Sequence, residues 1–374
     1  MNENTKAGND FSMIFPTFEF MVLSLLIVCL IMQVLFWVAV YTRILLYRPE
    51  LNTHNPFVSV VISAKNEMDN LPDLVEFLQS QDYDNFEILI VDDYSSDGTY
   101  EFLKSISGIK VLKPTKNLPG KKHALQEGIQ AACGEYILLT DGDCIGNSRC
   151  WIQKMVSEID RRKIVLGYGP LKYKNWVGCI SAFETWIIAI QYFSYAEWGI
   201  PYMGVGRNML FSRQLFHQNE GYKNHQNFTS GDDDLLIRDI ASGNNTTICL
   251  HPDTYMFSNA VNTFNQLLAQ KKRHLSTAIK YKLPHQILLT LWSGSLMAFF
   301  PLLIIYGVVS GNWLMAGTIY ISKLVVQWAV AIVVGFKMME KRFILFFPLL
   351  EIALCIYYWL LTPFVFTKKN VSWK

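Results

Sequence analysis

The sequence predicts an α/β domain, a mostly parallel sheet with helices on both faces, set between apolar segments long enough to cross a bilayer. Three observations predict it. Between residues 57 and 170, short apolar runs alternate with segments of helical period. Each of three runs stops at a polar cluster: residues 63–67, Asp92-Asp93, and Asp141-Gly142-Asp143. Hydrophobic residues make up 51% of the chain and charged residues 17%, and the apolar excess lies outside that stretch. The net charge of +2 provides no strong field for a nucleic-acid partner.

The elements follow in chain order. Residues 1–17 read as a polar tail and 18–46 as a transmembrane anchor. Residues 20–40 are almost wholly apolar, with Gln33 the main exception. No basic front precedes them and no small-residue cleavage site follows, so an uncleaved anchor fits better than a signal peptide. Arg43 and Arg48 then place residue 50 onward in the cytoplasm. Residues 55–275 form the central domain. Its first strand is Phe57-Val58-Ser59-Val60-Val61-Ile62, followed by Leu71, Leu74 and Leu78 at helical spacing. Strands follow at 87–91, 109–112 and 136–139, with helices near 99–105 and 123–133. Ligands of such sheets bind beyond the carboxyl ends of the strands, where every polar cluster falls. Residues 176–200 are aromatic-rich, interrupted by Glu184 and Glu197. Two readings stand: an amphipathic segment at the membrane surface near a lipid acceptor, or core packing.

Apolar stretches at 287–309, 313–336 and 344–366 predict C-terminal transmembrane helices within 286–366, before a tail at 367–374. The uncharged Ser310-Gly311-Asn312 loop belongs outside, and the loop with Lys337, Lys341 and Arg342 inside. That order leaves the Lys368-Lys369 tail outside, against the same rule, so the last segment is re-entrant or the count is off by one. Glu351 is an ionisable group inside a span, a position that calls for a partner or a function. The seven cysteines are scattered, with no pair at metal-ligand spacing, which fits a reducing compartment.

The chemistry lies at the strand ends. Asp141 and Asp143, at i and i+2, can converge on one hard cation, Mg²⁺ or Mn²⁺, which keeps open positions for phosphate. Such an ion offsets charge on a departing diphosphate. Ser63, Asn66 and Glu67 can meet a nucleoside base and ribose. Gly120-Lys121 opens a helix and makes an anion site, with a solvated lysine as the alternative. Asp232, Asp233 and Asp234 are adjacent, so mutual repulsion raises some of their pKa values toward those of a general base. A helix cap suits the same acids. Arg273 can fork onto phosphate oxygens. A basic interfacial helix is the alternative there, and it suits Lys271 and Lys272 better.

Taken together, Val60-Val61-Ile62-Ser63-Ala64-Lys65-Asn66-Glu67, Ile90-Val91-Asp92-Asp93-Tyr94-Ser95-Ser96-Asp97-Gly98-Thr99 and Leu139-Thr140-Asp141-Gly142-Asp143 resemble the family 2 inverting glycosyltransferases of GT-A fold. The resemblance runs over 57–275. The membrane-anchored arrangement is similar to that of ceramide glucosyltransferases, polyprenyl-phosphate sugar transferases and bacterial polysaccharide synthases. It implies that Asp92 or Asp93 reads the base or ribose, with a turn cap beside Ser95 and Asp97 as the alternative for Asp93. It implies that Lys121 sits near the diphosphate, and that Asp143 meets the metal directly while Asp141 meets ribose or a water. Gly204-Val205-Gly206 resembles the family's segment before the acceptor site. Asn208 then touches sugar or acceptor, or serves a structural turn. The Gly-Asp-Asp register puts the catalytic base on Asp233 with Asp232 in support, and a register shift moves it to Asp232 or Asp234. Gln270-Lys271-Lys272-Arg273-His274 resembles the Gln-x-x-Arg-Trp motif, with His274 in place of tryptophan.

The expected protein is a multi-pass enzyme of the cell membrane with a cytoplasmic site. It moves a sugar from a nucleotide-diphospho-sugar to a lipid or glycan acceptor, with Mg²⁺ or Mn²⁺. A processive polysaccharide synthase subunit is the first rival and a non-catalytic membrane scaffold the second. Retention of Asp141, Asp143 and Asp233 weighs against the scaffold.

Overall fold

A computed structural model describes residues 6–49, 53–114, 120–159, 162–226, 228 and 230–365, with side chains from 17 to 363. The tail beyond 365 lies outside the described residues. Two compact units divide the chain: residues 1–42, 283–336 and 340–363 form one, and 43–282 with 337–339 form the core of the other.

Helix α1 (Lys6–Leu35) opens the chain, starting inside the stretch expected to be a polar tail. The second unit then alternates as expected: β1 (Val58–Ala64), α2 (Leu71–Gln79), β2 (Phe86–Asp92), α3 (Thr99–Lys104), β3 (Lys110–Leu112), α4 (Lys121–Ala131) and β4 (Tyr136–Asp141). The order continues with β5 (Ile145–Gly146), α5 (Trp151–Ser157), β6 (Ile164–Leu166), β7 (Leu171–Lys172), α6 (Trp176–Glu197), β8 (Met209–Ser212), α7 (Arg213–Gln218), α8 (Asp234–Ile240), β9 (Thr246–Ile248), β10 (Met256–Asn259) and α9 (Phe264–Ala278).

Seven strands form one sheet in the order β3-β2-β1-β4-β8-β6-β9. The pairs from β3 to β4 are parallel, and β8 runs antiparallel to both β4 and β6. β1 is a β-branched run buried along its whole length, as expected of a central strand covered on both faces. Its neighbours are β2 on one side and β4 on the other, which makes its carboxyl end the switch point where ligands bind. The register aligns Ser63 with Asp141 and Ala64 with Asp92, so two polar clusters end level with one another. A smaller sheet, β5-β10-β7, follows the Asp141-Gly142-Asp143 turn.

α6, which covers most of 176–200, is packed along most of its length, although it too is long and apolar enough to count as a candidate span. Some 78% of its most apolar window is buried, against 17% and 33% for the two long C-terminal helices. Phe183, Trp186, Tyr192, Phe193 and Tyr195 are all buried, and only the ends, Trp176 and Trp198, stand exposed. Its aromatic residues occur around the whole helix instead of along one stripe.

In the first unit, α10 (Leu283–Ser310) and α11 (Trp313–Lys337) are long and apolar enough to cross a membrane, as is the stretch Thr17–Leu46. α12 (Phe347–Val365) has 19 residues. At ~1.5 Å per residue it reaches ~28 Å, close to the thickness of a bilayer core. It begins later than the expected residue 344 because a short turn at Lys341–Phe343 precedes it and Pro348 suits a first helical turn. Among its neighbours, Lys323 donates to Glu351 at 2.6 Å and to Gln327 at 2.7 Å. Gln327 donates to Gln33 at 3.1 Å, and Gln33 to Ser295 at 2.8 Å.

Helix α4 lies close on the sheet at Gly128, where an added Cβ would stand 2.6 Å from Val61 Cγ1 and 2.9 Å from Val91 Cγ2. Both partners are buried strand residues with nowhere to move. Gly128→Ala should cost about 1–3 kcal/mol, read as a lowered midpoint in a detergent-phase thermal melt. An unchanged midpoint would remove the close approach.

Candidate active site

The turn after β4 gathers Asp141, Asp143 and Cys144, with one ligand atom of each within 4.8 Å of the others. Burial, reinforced by Asp141 and Asp143, pushes the Cys144 thiol well above its usual range. Cys144 is therefore a packed, protonated thiol, and the oxygen pair is what a hard cation would meet. Mg²⁺ or Mn²⁺ fits that donor set. Glu67 packs against the turn: a Cβ on Gly142 would lie 3.2 Å from its Cγ. Its carboxylate accepts from Asn70 Nδ2 at 2.6 Å.

Around this turn, Ser63 Oγ, Asp92 Oδ1 and Thr140 Oγ1 are buried with no hydrogen-bond partner. All three sit at carboxyl ends of central strands. Unsatisfied polar atoms concentrated at one edge fit a site built to receive a polar ligand. Asp92 uses its other oxygen to accept from the Ser95 amide at 3.3 Å. Asn66 holds the neighbouring loop, accepting from the Ser96 amide at 2.8 Å while its own amide donates to Ser95 Oγ at 2.9 Å.

Asp93 serves neither as a free base reader nor as the cap of its own turn. It is fully buried, and both its oxygens accept from the Gly120 amide at 3.0 Å. The cap falls instead to Asp92 and to Asp97, which accepts from the Met68 and Thr99 amides. Asp93 therefore fixes the start of α4, and so fixes Lys121.

Lys121 joins the two acidic motifs. Its ammonium stands 2.8 Å from Asp141 and 2.8 Å from Asp232. Burial opposes its charge, but Asp141, Asp232 and Asp233 outweigh burial and hold its pKa well above the ordinary value. The solvated-lysine alternative fails. Lys122 turns the other way and donates to the carbonyls of His225 at 2.8 Å and Phe228 at 2.9 Å. It anchors the loop leading to Asp232, and burial lowers its pKa to about 8.

The three adjacent acids have three different environments. Asp232 is opposed by burial, yet the Lys121 ammonium holds its carboxyl below the ordinary value. Asp233 accepts from the Gly206 amide at 2.8 Å and from the Asp234 amide at 2.8 Å. Burial, then the charges of Asp232 and Asp234, push it up to about 7. Asp234 accepts from Thr277 Oγ1 and Tyr281 OH, each at 2.7 Å, and from the Leu235 amide at 2.8 Å. Gly231, just ahead, has φ +91, and an added Cβ there would meet Leu235 at 2.5 Å. Only glycine suits that turn.

Asn208 is engaged within the fold. It is fully buried, accepts from Trp151 Nε1 at 3.0 Å, and donates to the carbonyls of Tyr168 at 2.9 Å and Thr254 at 2.6 Å. Its amide is spent on joining β8 to the loops beside it. Gln270 and Arg273 lie half-buried on α9. Lys271 departs from the interfacial expectation: it is buried in an ion pair with Glu184 of α6 at 2.6 Å. The sequence reading also passed over Arg207, whose guanidinium donates to Ser258 Oγ at 2.9 Å beside Gly206. The signal was a charged residue within an otherwise small-residue turn.

Residues 59–218 match the description "Glycosyl transferase family 2". The glycosyltransferase AglE of Haloferax volcanii is 31% identical over 32% of this chain and 40% of its own length. The beta-monoglucosyldiacylglycerol synthase of Trichormus variabilis is 34% identical over 28% of this chain and 24% of its own. The chain thus spans less than half the length of these relatives. A solved mannosyltransferase from Pyrobaculum calidifontis, in complex with GDP-Man and Mn²⁺, superposes with a TM-score of 0.57 at 16% identity, over 91% of this chain and 99% of its own. That likeness shows the fold.

The environment of Asp233 has a direct spectroscopic consequence. One carboxyl should titrate near pH 7 in infrared difference spectra, ionised above that pH and protonated below it, and the band should vanish in Asp233→Asn. A band that survives that substitution would assign the titration to another acid.

Proposed function

Since residues 59–218 belong to glycosyl transferase family 2, we propose that the whole chain is a membrane glycosyltransferase. It moves a sugar from a nucleotide-diphospho-sugar to a hydroxyl of a lipid or glycan acceptor, with inversion. The observation that most supports this reading is the pair of 2.8 Å contacts from Lys121 to Asp141 and Asp232. They join a donor-side acid to the base loop in one cleft. A relative named for a glycosylated diacylglycerol makes a lipid acceptor the natural first choice.

In this reading the unpartnered Ser63 and Asp92 oxygens, with Asn66 and Glu67 beside them, receive the nucleoside. Asp143 and Asp141 would hold Mg²⁺ or Mn²⁺, which when bound supplies positive charge toward the leaving diphosphate. Arg273 contributes its planar fork to the same anion. Asp233 takes the proton of the acceptor hydroxyl. A base with pKa near the working pH is ionised often enough to act and still basic enough to accept. The acceptor oxygen then attacks the anomeric carbon as the bond to the diphosphate breaks, in one displacement. Asp232 stays charged beside Lys121 and keeps the affinity of Asp233 for a proton high. Arg43 and Arg48 after the first span, and the basic loop after α11, support a cytoplasmic site.

The test is a donor screen on the full chain in detergent. Nucleoside diphosphate release from a panel of UDP-, GDP- and dTDP-sugars would be followed with Mn²⁺, Mg²⁺ or chelator, with membrane lipid extract as acceptor. Release from one donor that needs metal and lipid is expected. Asp143→Ala should remove most of the metal dependence, and Asp233→Asn should cut turnover at least 100-fold while sparing donor binding. Since Asp233 acts deprotonated, kcat/KM should rise as pH rises through about 7. No release from any donor, together with no donor binding, would overturn the reading.

A further inference from the structure

The base loop and α9 share a contact that the proposed reaction does not use. Asp234 is buried, and one of its oxygens is devoted to α9 and the turn that follows it, accepting from Thr277 Oγ1 and Tyr281 OH at 2.7 Å each. The other accepts from the Leu235 amide at 2.8 Å, which suffices to cap α8. A cap alone would need no partner on α9.

The position of these contacts on α9 matters. An α-helix turns about 100° per residue, so Gln270, Arg273 and Thr277, spaced by three or four, share one face of α9, and Tyr281 follows in the turn just beyond its end. Thr277 lies only about 40° around the helix from Arg273 and roughly one turn along it. The face held by Asp234 is therefore the face that carries Gln270 and Arg273. α9 is held a second time, upstream, by the buried pair of Lys271 and Glu184 at 2.6 Å. Tyr281 is braced edge-on by Tyr202, ring centroids 5.4 Å apart, and Tyr202 donates to Gln191 of α6 at 3.2 Å. α6 thus holds the middle of the helix, and Asp234 holds its C-terminal end.

We propose that Asp234 is a positioning residue: through Thr277 and Tyr281 it sets where the Gln270–Arg273 face of α9 stands relative to Asp233. The covalent step from Asp233 to Asp234 makes this a short mechanical link. It ties the group that removes the acceptor proton to the helix that meets the leaving diphosphate. The link to the diphosphate rests on the transferase reading; the link between Asp234 and α9 does not.

The test uses the full chain in detergent with Thr277→Val and Tyr281→Phe combined, which removes both donors and keeps the shapes. Hydrogen exchange should show the C-terminal half of α9 losing protection at least 10-fold while β1 and β4 keep theirs. Unchanged protection in α9 would overturn the proposal whatever the activity. The functional arm uses the nucleotide sugar that the wild-type enzyme turns over. The combined variant should lose about 10-fold in kcat/KM. That loss should be non-additive with Arg273→Ala, so that all three substitutions together cost little more than Arg273→Ala alone. Thr277→Ser should restore part of it. Additive losses would show that the contact serves stability and nothing more. A wild-type enzyme with no donor turnover would fail the transferase reading, while the exchange arm would still decide the contact.

Discussion

Asp141, Asp143, Asp232, Asp233 and Asp234 converge on one end of a sheet, and Lys121 is the cation that lets them share it. Two like charges 4 Å apart repel by about 4 kcal/mol at an effective dielectric of 20. That is enough to carry a carboxyl from its ordinary range to neutrality, since ~1.4 kcal/mol is a tenfold change. The repulsion is not spread evenly. Lys121 keeps Asp232 ionised, and Asp233 beside it, pushed first by burial and then by the charges of Asp232 and Asp234, rises to about 7. The elements around the cleft serve this arrangement. Asp93 holds the Gly120 amide that starts α4, and Lys122 holds the loop that delivers Asp232. The parallel register of β1 and β4 brings Ser63 level with Asp141.

The apolar unit obeys the same rule with fewer charges. Lys323 and Glu351 are both buried and stand 2.6 Å apart, and a chain of hydrogen bonds leads on through Gln327 to Gln33 and Ser295. Gln33 and Glu351 were the polar exceptions in otherwise apolar stretches. Their positions fall on α1 and α12, and their side chains meet through α11. Polar groups in such helices pair with one another because neither lipid nor a greasy neighbour can satisfy them. The network fixes which faces of four helices meet, which apolar packing alone leaves loosely specified.

Much of this was legible in the sequence because it depends on periodicity and on chain order. The first four strands and the helices between them appear where the pattern of apolar residues placed them, and the acidic clusters fall at their carboxyl ends. What could not be read depends on which side chains meet across the fold. Asn208 follows two glycines and looks available, yet three hydrogen bonds bury its amide between β8 and neighbouring loops. Lys271 sits in a basic run that reads as a membrane-facing stripe, but Glu184, far away in sequence, draws it inward. The aromatic residues of 176–198 carry no stripe, and that lack of amphipathicity fits a helix packed on most of its sides.

The choice of base among three consecutive aspartates shows why such information has to come from three dimensions. Sequence alone allowed any of them, since repulsion raises pKa values without saying which residue yields. The contacts set the three apart. Asp234 has spent both oxygens on Leu235, Thr277 and Tyr281. Asp232 is held ionised by a lysine, and a carboxylate stabilised in that way is a weak proton acceptor. Asp233 receives only two backbone amides and stands beside both charged neighbours. Amide donors orient a carboxylate without neutralising it. A triad of like charges thus becomes one anchored group, one paired group and one whose pKa is pushed up to about 7, and the difference lies in partners drawn from α4, α9 and the Gly206 turn.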